Sequence, residues 1–130
     1  STVIAMDKSP HPLYYLRLES SKLRVEDGDF TRKIDLPMLD GIVMANALHY
    51  AEDPKAVLRN ILQHLRPGGR FILVEYERTE PIVPWIPFPV PQARFREMAM
   101  ELGLAGLEEI GRMPSQFGHE HIYALAMELA

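Results

Sequence analysis

Phe71, Ile72, Leu73 and Val74 stand in a row, directly behind Pro67-Gly68-Gly69 and Arg70. A run that is apolar at every position cannot serve as one face of a half-solvated strand. It needs cover on both sides, as in the parallel sheet of an α/β protein. Two other runs are of the same kind. Val3-Ile4-Ala5-Met6 is stopped by Asp7, and Ile42-Val43-Met44-Ala45 follows Gly41. Asp53-Pro54 then reads as an N-cap followed by proline at the first helical position. Apolar residues recur at Ala56, Val57, Ile61, Leu62 and Leu65, which is helical spacing. Pro67-Gly68-Gly69 stops that helix, and Arg70 to Tyr76 is the strongest strand.

The other elements fall around this frame. Ser9-Pro10 resembles a helix start, for a helix running to about Ser20. Leu23-Arg24-Val25 is a short strand that ends in Glu26-Asp27-Gly28-Asp29-Phe30. Asp35 to Asp40 is a loop. Glu80 to Pro91 holds five prolines and Trp85, which excludes regular structure there. Gln92 to Leu102 reads as a helix ended by Gly103. Leu107–Arg112 and His121–Glu128 are predicted to form an antiparallel pair across a Pro114–Gly118 turn region. Alternation of this sort predicts a three-layer α/β sandwich, with a mostly parallel sheet and a C-terminal antiparallel hairpin.

Composition narrows the function classes. A length of 130 residues suits one domain. Fourteen basic against 18 acidic side chains give a net charge of −4, a poor basis for non-specific nucleic-acid binding. There is no cysteine, so disulfides, thiol nucleophiles and thiolate metal sites are excluded, which fits a cytoplasmic protein. Neither a membrane span nor a signal peptide is predicted.

In open α/β sheets, ligands sit outside the carboxyl ends of the strands. The first strand is followed by Asp7, the second by Gly28-Asp29-Phe30, and the third by Asn46-Ala47-Leu48-His49-Tyr50. An acid at the first position can accept hydrogen bonds from both ribose hydroxyls of a nucleoside. An aspartate after the second can accept from the exocyclic amine of adenine, with Phe30 against the base plane. Each residue also has a plainer role. Asp7 and Asp29 can serve turns or caps, Phe30 can pack, and Asn46 can satisfy local backbone. His119-Glu120-His121 offers two histidines on one strand face, an incomplete metal site, and no metal is expected.

The stretch from Leu39 to Glu77, LDGIVMANALHYAEDPKAVLRNILQHLRPGGRFILVEYE, resembles the middle of S-adenosylmethionine-dependent methyltransferases with the Rossmann-like fold. Val3 to Ser9 is similar to that family's second strand with its ribose-binding acid, and Asp27 to Phe30 to its adenine-contacting motif. Gly103 to Glu128 resembles the closing hairpin of the same sheet. The resemblance implies S-adenosyl-L-methionine as cofactor, contacted by Asp7, Asp29, Phe30 and Asn46. It places Asn46, His49 and Tyr50 toward the methyl acceptor, with His49 the plausible base near neutral pH. It also sets the proline-rich loop around Trp85 over an acceptor pocket suited to a hydrophobic or aromatic molecule. A packing role or a protein interface is the alternative for Trp85.

The family's first strand and glycine-rich turn have no counterpart, since all eight glycines lie at or after Gly28 and none forms a G-x-G turn. The expectation is a fold lacking its first central strand, from an N-terminally truncated relative. Such a gap exposes two strand edges, and the chain is predicted to be at least dimeric. Two readings follow: a methyltransferase with a small-molecule acceptor, or a catalytically inactive methyltransferase-like module that self-associates or binds a partner. A dinucleotide-dependent oxidoreductase is a weaker third reading, because it too needs the glycine turn.

Overall fold

The computed structural model describes residues 2–7, 22–27, 35–114 and 121–130. The chain divides into two compact units, Ser1–Asp35 and Leu36–Ala130. In the first, β1 (Thr2–Asp7) and β2 (Lys22–Asp27) pair in parallel, from Thr2 opposite Lys22 to Asp7 opposite Asp27. β1 ends on the acid expected to end it. β2 extends beyond Leu23-Arg24-Val25 at both ends, because the ladder to β1 carries its polar ends into the strand. The helix expected from Ser9 to about Ser20 lies outside the described residues, as do Asp29 and Phe30.

The second unit holds a four-stranded sheet built from β3 (Leu39–Ala45), β4 (Leu65–Tyr76), β5 (Leu104–Pro114) and β6 (His121–Leu129), in the order β3-β4-β6-β5. β3 and β4 are parallel, and α1 (Pro54–Leu62) connects them. β6 runs antiparallel to β4, and β5 antiparallel to β6, so the C-terminal hairpin closes the sheet as expected. At the opposite edge, β4 is the only strand neighbour of β3 among the described residues.

Local chemistry explains the boundaries. The Asp53 carboxylate accepts a hydrogen bond from the Ala56 N–H at 3.1 Å, which caps α1 as its sequence predicts. Val57, Leu58, Ile61 and Leu62 carry the buried stripe of this helix. Ala56, counted in the apolar pattern, is exposed, and Leu58 takes the inward position instead. α2 (Gln92–Glu101) ends at Leu102, and Gly103 follows with φ +81°, a left-handed turn that glycine adopts without strain. Met98, Ala99 and Phe95 face inward, and the Phe95 ring stacks over Phe71 of β4 at 6.5 Å.

Two boundaries differ from expectation. The strand expected from Arg70 already begins at Leu65, which pairs with Leu39 before a bulge brings Gly41 opposite Arg70. Leu65 therefore belongs to the sheet and not to the helix. Pro67-Gly68-Gly69 is the turn of this bulge: Gly68 has φ +78°, and a Cβ on Gly69 would lie 2.7 Å from the Arg66 carbonyl oxygen. β5 is likewise longer than Leu107–Arg112, because it bends around β6 through two register shifts.

Along β4 burial alternates. Phe71, Leu73 and Glu75 are fully buried, while Ile72, Val74 and Tyr76 are half-buried. Tyr123, Leu125 and Met127 of β6 complete the same core. No helix among the described residues is long and apolar enough to cross a membrane.

The Tyr123 hydroxyl donates to the Val90 carbonyl at 2.6 Å in this core. Burial pushes its phenol well above the ordinary tyrosine value, and the Glu75 and Glu77 carboxylates add to the shift. The folded state thus favours the neutral phenol. The associated stability is fully present below the unfolded value of about 10 and is lost as pH rises beyond it. Urea titrations across alkaline pH should show this decline, and Tyr123→Phe should flatten it. An identical decline in the variant would assign it to other groups.

Candidate active site

β3 ends at Ala45, opposite Val74 of β4. Asn46 follows with φ +50°, a left-handed conformation that asparagine tolerates better than most residues. Its N–H still donates to the Val74 carbonyl at 2.9 Å, so the chain leaves the sheet at a fixed point. Ala47 leads into a single 3-10 turn, Leu48–Tyr50, whose Leu48 is fully buried. This turn sets His49 against the next strand.

The His49 side chain is 3% exposed, and that of its partner, Glu75 of β4, is 0% exposed. His49 Nδ1 lies 2.6 Å from Glu75 Oε1. The His49 backbone N–H donates to Oε2 at 3.3 Å, and the Tyr76 N–H donates to Oε1 at 3.0 Å. Three groups thus converge on one buried carboxylate, the condition under which a buried acid is tolerated. A carboxylate only accepts, so the proton of a neutral His49 ring sits on Nδ1 and Nε2 carries the lone pair. The hydrogen bonds that His49 makes to described residues run through Nδ1, its backbone N–H and its carbonyl. The ring is flanked by two tyrosines, Tyr50 at 4.4 Å and Tyr76 at 5.8 Å between centroids.

His49 lines a cavity of about 550 Å³ together with Asn46, Tyr50, Tyr76, Ile82, Trp85 and Ile86. The last three come from the proline-rich loop. Ile82 and Ile86 exchange backbone hydrogen bonds of 2.9 and 2.6 Å, which closes a small turn with Trp85 on it. The loop is pinned beneath by the Phe88 N–H, which donates to the His49 carbonyl at 3.0 Å. The structure therefore brings together Asn46, His49, Tyr50 and the loop around Trp85, all four singled out in the sequence. It also buries His49, at 2% exposure, at the wall of this cavity.

Glu75 and Tyr76 are the residues that sequence reasoning missed. A signal for Glu75 was present: it continues the inward positions Phe71 and Leu73 at a spacing of two. A carboxylate on the covered face of a strand calls for a partner. Of the residues assigned to the cofactor, Asp7 is the last residue of β1, but its side chain lies outside the described residues, as do Asp29 and Phe30 entirely. Of the His119-Glu120-His121 triplet, only His121 is described, at the start of β6. Among the described residues no group of three or more histidine, aspartate or glutamate side chains could hold a metal ion.

A family model described as a methyltransferase domain matches residues 1–71. The chain belongs to the methyltransferase-domain family. The match runs from β1 through α1 into β4 of this methyltransferase domain, so it takes in Asn46, His49 and Tyr50. A curated relative, the highly reducing polyketide synthase pkhB of Emericella nidulans, is 32% identical over 63 residues, covering 48% of this chain and 2% of that protein. Solved structures share the fold over nearly the whole chain. The 1,6-didemethyltoxoflavin-N1-methyltransferase of Burkholderia thailandensis, with bound 1,6-didemethyltoxoflavin and S-adenosylhomocysteine, superposes with a TM-score of 0.73 at 16% identity, covering 98% of this domain and 60% of that chain. The CurJ carbon methyltransferase superposes with a TM-score of 0.68 at 16% identity, covering 98% and 41%. This methyltransferase domain thus spans only part of the length of each relative. The Rossmann-like α/β fold expected from the sequence is the fold these structures share.

Proposed function

We propose that the chain carries out S-adenosyl-L-methionine-dependent methyl transfer to an acceptor carbon, with His49 as the base. The single observation that carries this reading is the buried His49–Glu75 pair opening onto an apolar cavity. A neutral amine already offers a lone pair and needs no such device, whereas a hydroxyl or carbon acceptor gains from a base. A carbon acceptor must first lose a proton, and it does so when a neighbouring carbonyl makes that proton acidic. The likeness to a polyketide synthase supports the same choice. The buried pair also favours catalysis over an inactive module, since a packed core gains little from burying a carboxylate.

When bound, S-adenosyl-L-methionine supplies an electrophilic methyl group on a sulfonium, whose breaking C–S bond leaves its electron pair on sulfur. His49 Nε2 would take the proton from the acceptor carbon, which leaves that carbon an electron pair with which to accept a methyl group. Glu75 holds Nδ1–H and stabilises the imidazolium that results. Tyr50 and Tyr76 flank the ring and fix its plane, and the cavity wall excludes water from the carbanion-like centre. Asn46 fits the cofactor side: it is an exposed amide with two donors and an acceptor at the carboxyl end of β3. Asp7, at the end of β1, is the acid assigned to the ribose, and Asp29 and Phe30 are assigned to adenine by resemblance. Self-association and a cytoplasmic setting belong to the same proposal, supported by the single strand neighbour of β3 among the described residues and the lack of cysteine.

Calorimetric titration with S-adenosylhomocysteine tests the cofactor half. Micromolar binding that Asp7→Ala weakens at least tenfold, the loss of about one charge-assisted hydrogen bond, is the expected result. No heat from folded protein would overturn it.

A further inference from the structure

We infer that the acceptor carries an extended alkyl chain, and that Trp85 sets which chain lengths the site takes. This rests on reading the cavity as the acceptor site. Its two ends differ. His49, at the inner end, is 2% exposed, whereas Trp85, at the outer end, is 69% exposed. The reacting carbon must reach His49 Nε2. Whatever extends from that carbon toward solvent passes Ile82, Ile86 and Trp85.

This outer wall has the chemistry of a hydrocarbon site. Among the described residues no lysine or arginine lines it, so none of them offers a charged tail a counter-ion. Its two aliphatic residues are branched, and Ile86 is anchored at 5% exposure. A volume of about 550 Å³ falls within the roughly 300–1,000 Å³ of sites that enclose small-molecule ligands. The Trp85 indole leaves a broad apolar surface in water, which an alkyl chain would cover. The hydrogen-bonded Ile82–Ile86 turn holds that surface in place before any ligand arrives, so little ordering cost remains to be met on binding.

Trp85 is the only tryptophan of the chain, so its fluorescence reports its own surroundings. The probes are β-keto esters of increasing length, from butanoate to decanoate, bound without cofactor and without turnover. For the unmodified chain, calorimetric affinity should rise by about fourfold per added methylene until the chain has passed the indole. Trp85 emission should shift to the blue with the longer esters. In Trp85→Ala, the gains from the longest members should vanish while butanoate affinity is unchanged, and Trp85→Phe should restore part of them. Affinity independent of length, gains retained in full by Trp85→Ala, or unchanged emission at saturation would each overturn the inference. Because no turnover is read, chain-length-dependent binding without methylation would overturn only the proposed reaction. Methylation without length dependence would overturn this inference and leave the proposed reaction standing.

Discussion

His49→Gln is expected to lower kcat for methyl transfer by about 10²–10⁴-fold, the usual contribution of a positioned general base. Glutamine suits this test because its amide N–H can still reach Glu75 and its size leaves little empty space. The fold should therefore persist. Affinity for S-adenosylhomocysteine should be unchanged, and KM for the acceptor should move little, since the proton is transferred only as the reaction proceeds. The check is single-turnover formation of methylated product, followed by mass. A variant that keeps full kcat would remove His49 from the chemistry. One that loses cofactor affinity together with rate would show that the ring serves the architecture instead.

Glu75 separates rate from stability. Glu75→Gln keeps the volume and an oxygen that accepts from Nδ1–H, but removes the charge that favours imidazolium. It should lower kcat by about 10²-fold or more, with acceptor KM and cofactor affinity held. A purely structural role would not produce that split. Glu75→Ala is a different case. It leaves the Nδ1–H of His49 and two backbone N–H groups without their acceptor, in a site that is fully buried. Loss of one partner from such a pair costs about 3–5 kcal/mol, a large fraction of the stability of a domain this size. Urea unfolding should show that loss for alanine and only a small part of it for glutamine.

The legible parts of this fold were those written locally. Asp53-Pro54 specifies a helix start through one side chain and one ring. Gly103 specifies a stop through a positive φ. The apolar row from Phe71 to Val74 demands cover whatever surrounds it. The His49–Glu75 contact was not legible in that way. Its partners are 26 positions apart, and only the parallel register that sets Ala45 opposite Val74 brings them together. A shift of that register by one residue would turn Glu75 to the other face. The bulge at Leu65 was hidden for a similar reason, because Pro67-Gly68-Gly69 carries the same residues whether it ends a helix or interrupts a ladder. His49, Tyr50 and Asn46 could be named in advance because the ends of parallel strands are where such sheets place ligands, independent of the details of pairing.

Glu77 accepts from the Gln92 N–H at 2.9 Å and from Arg112 at 3.2 Å, so the two ends of the proline-rich loop are tied together at its base. Tyr123 pins Val90 just inside that tie. The segment between, which supplies Ile82, Trp85 and Ile86, contributes little to the core apart from Ile86 and Val90. Its sequence can therefore drift, or be exchanged for another of different length, with the knot below it left intact. The base and the wall are thus separately inheritable parts. A lineage could keep one proton-abstracting centre and acquire new acceptors by rewriting a stretch of chain that folding scarcely consults.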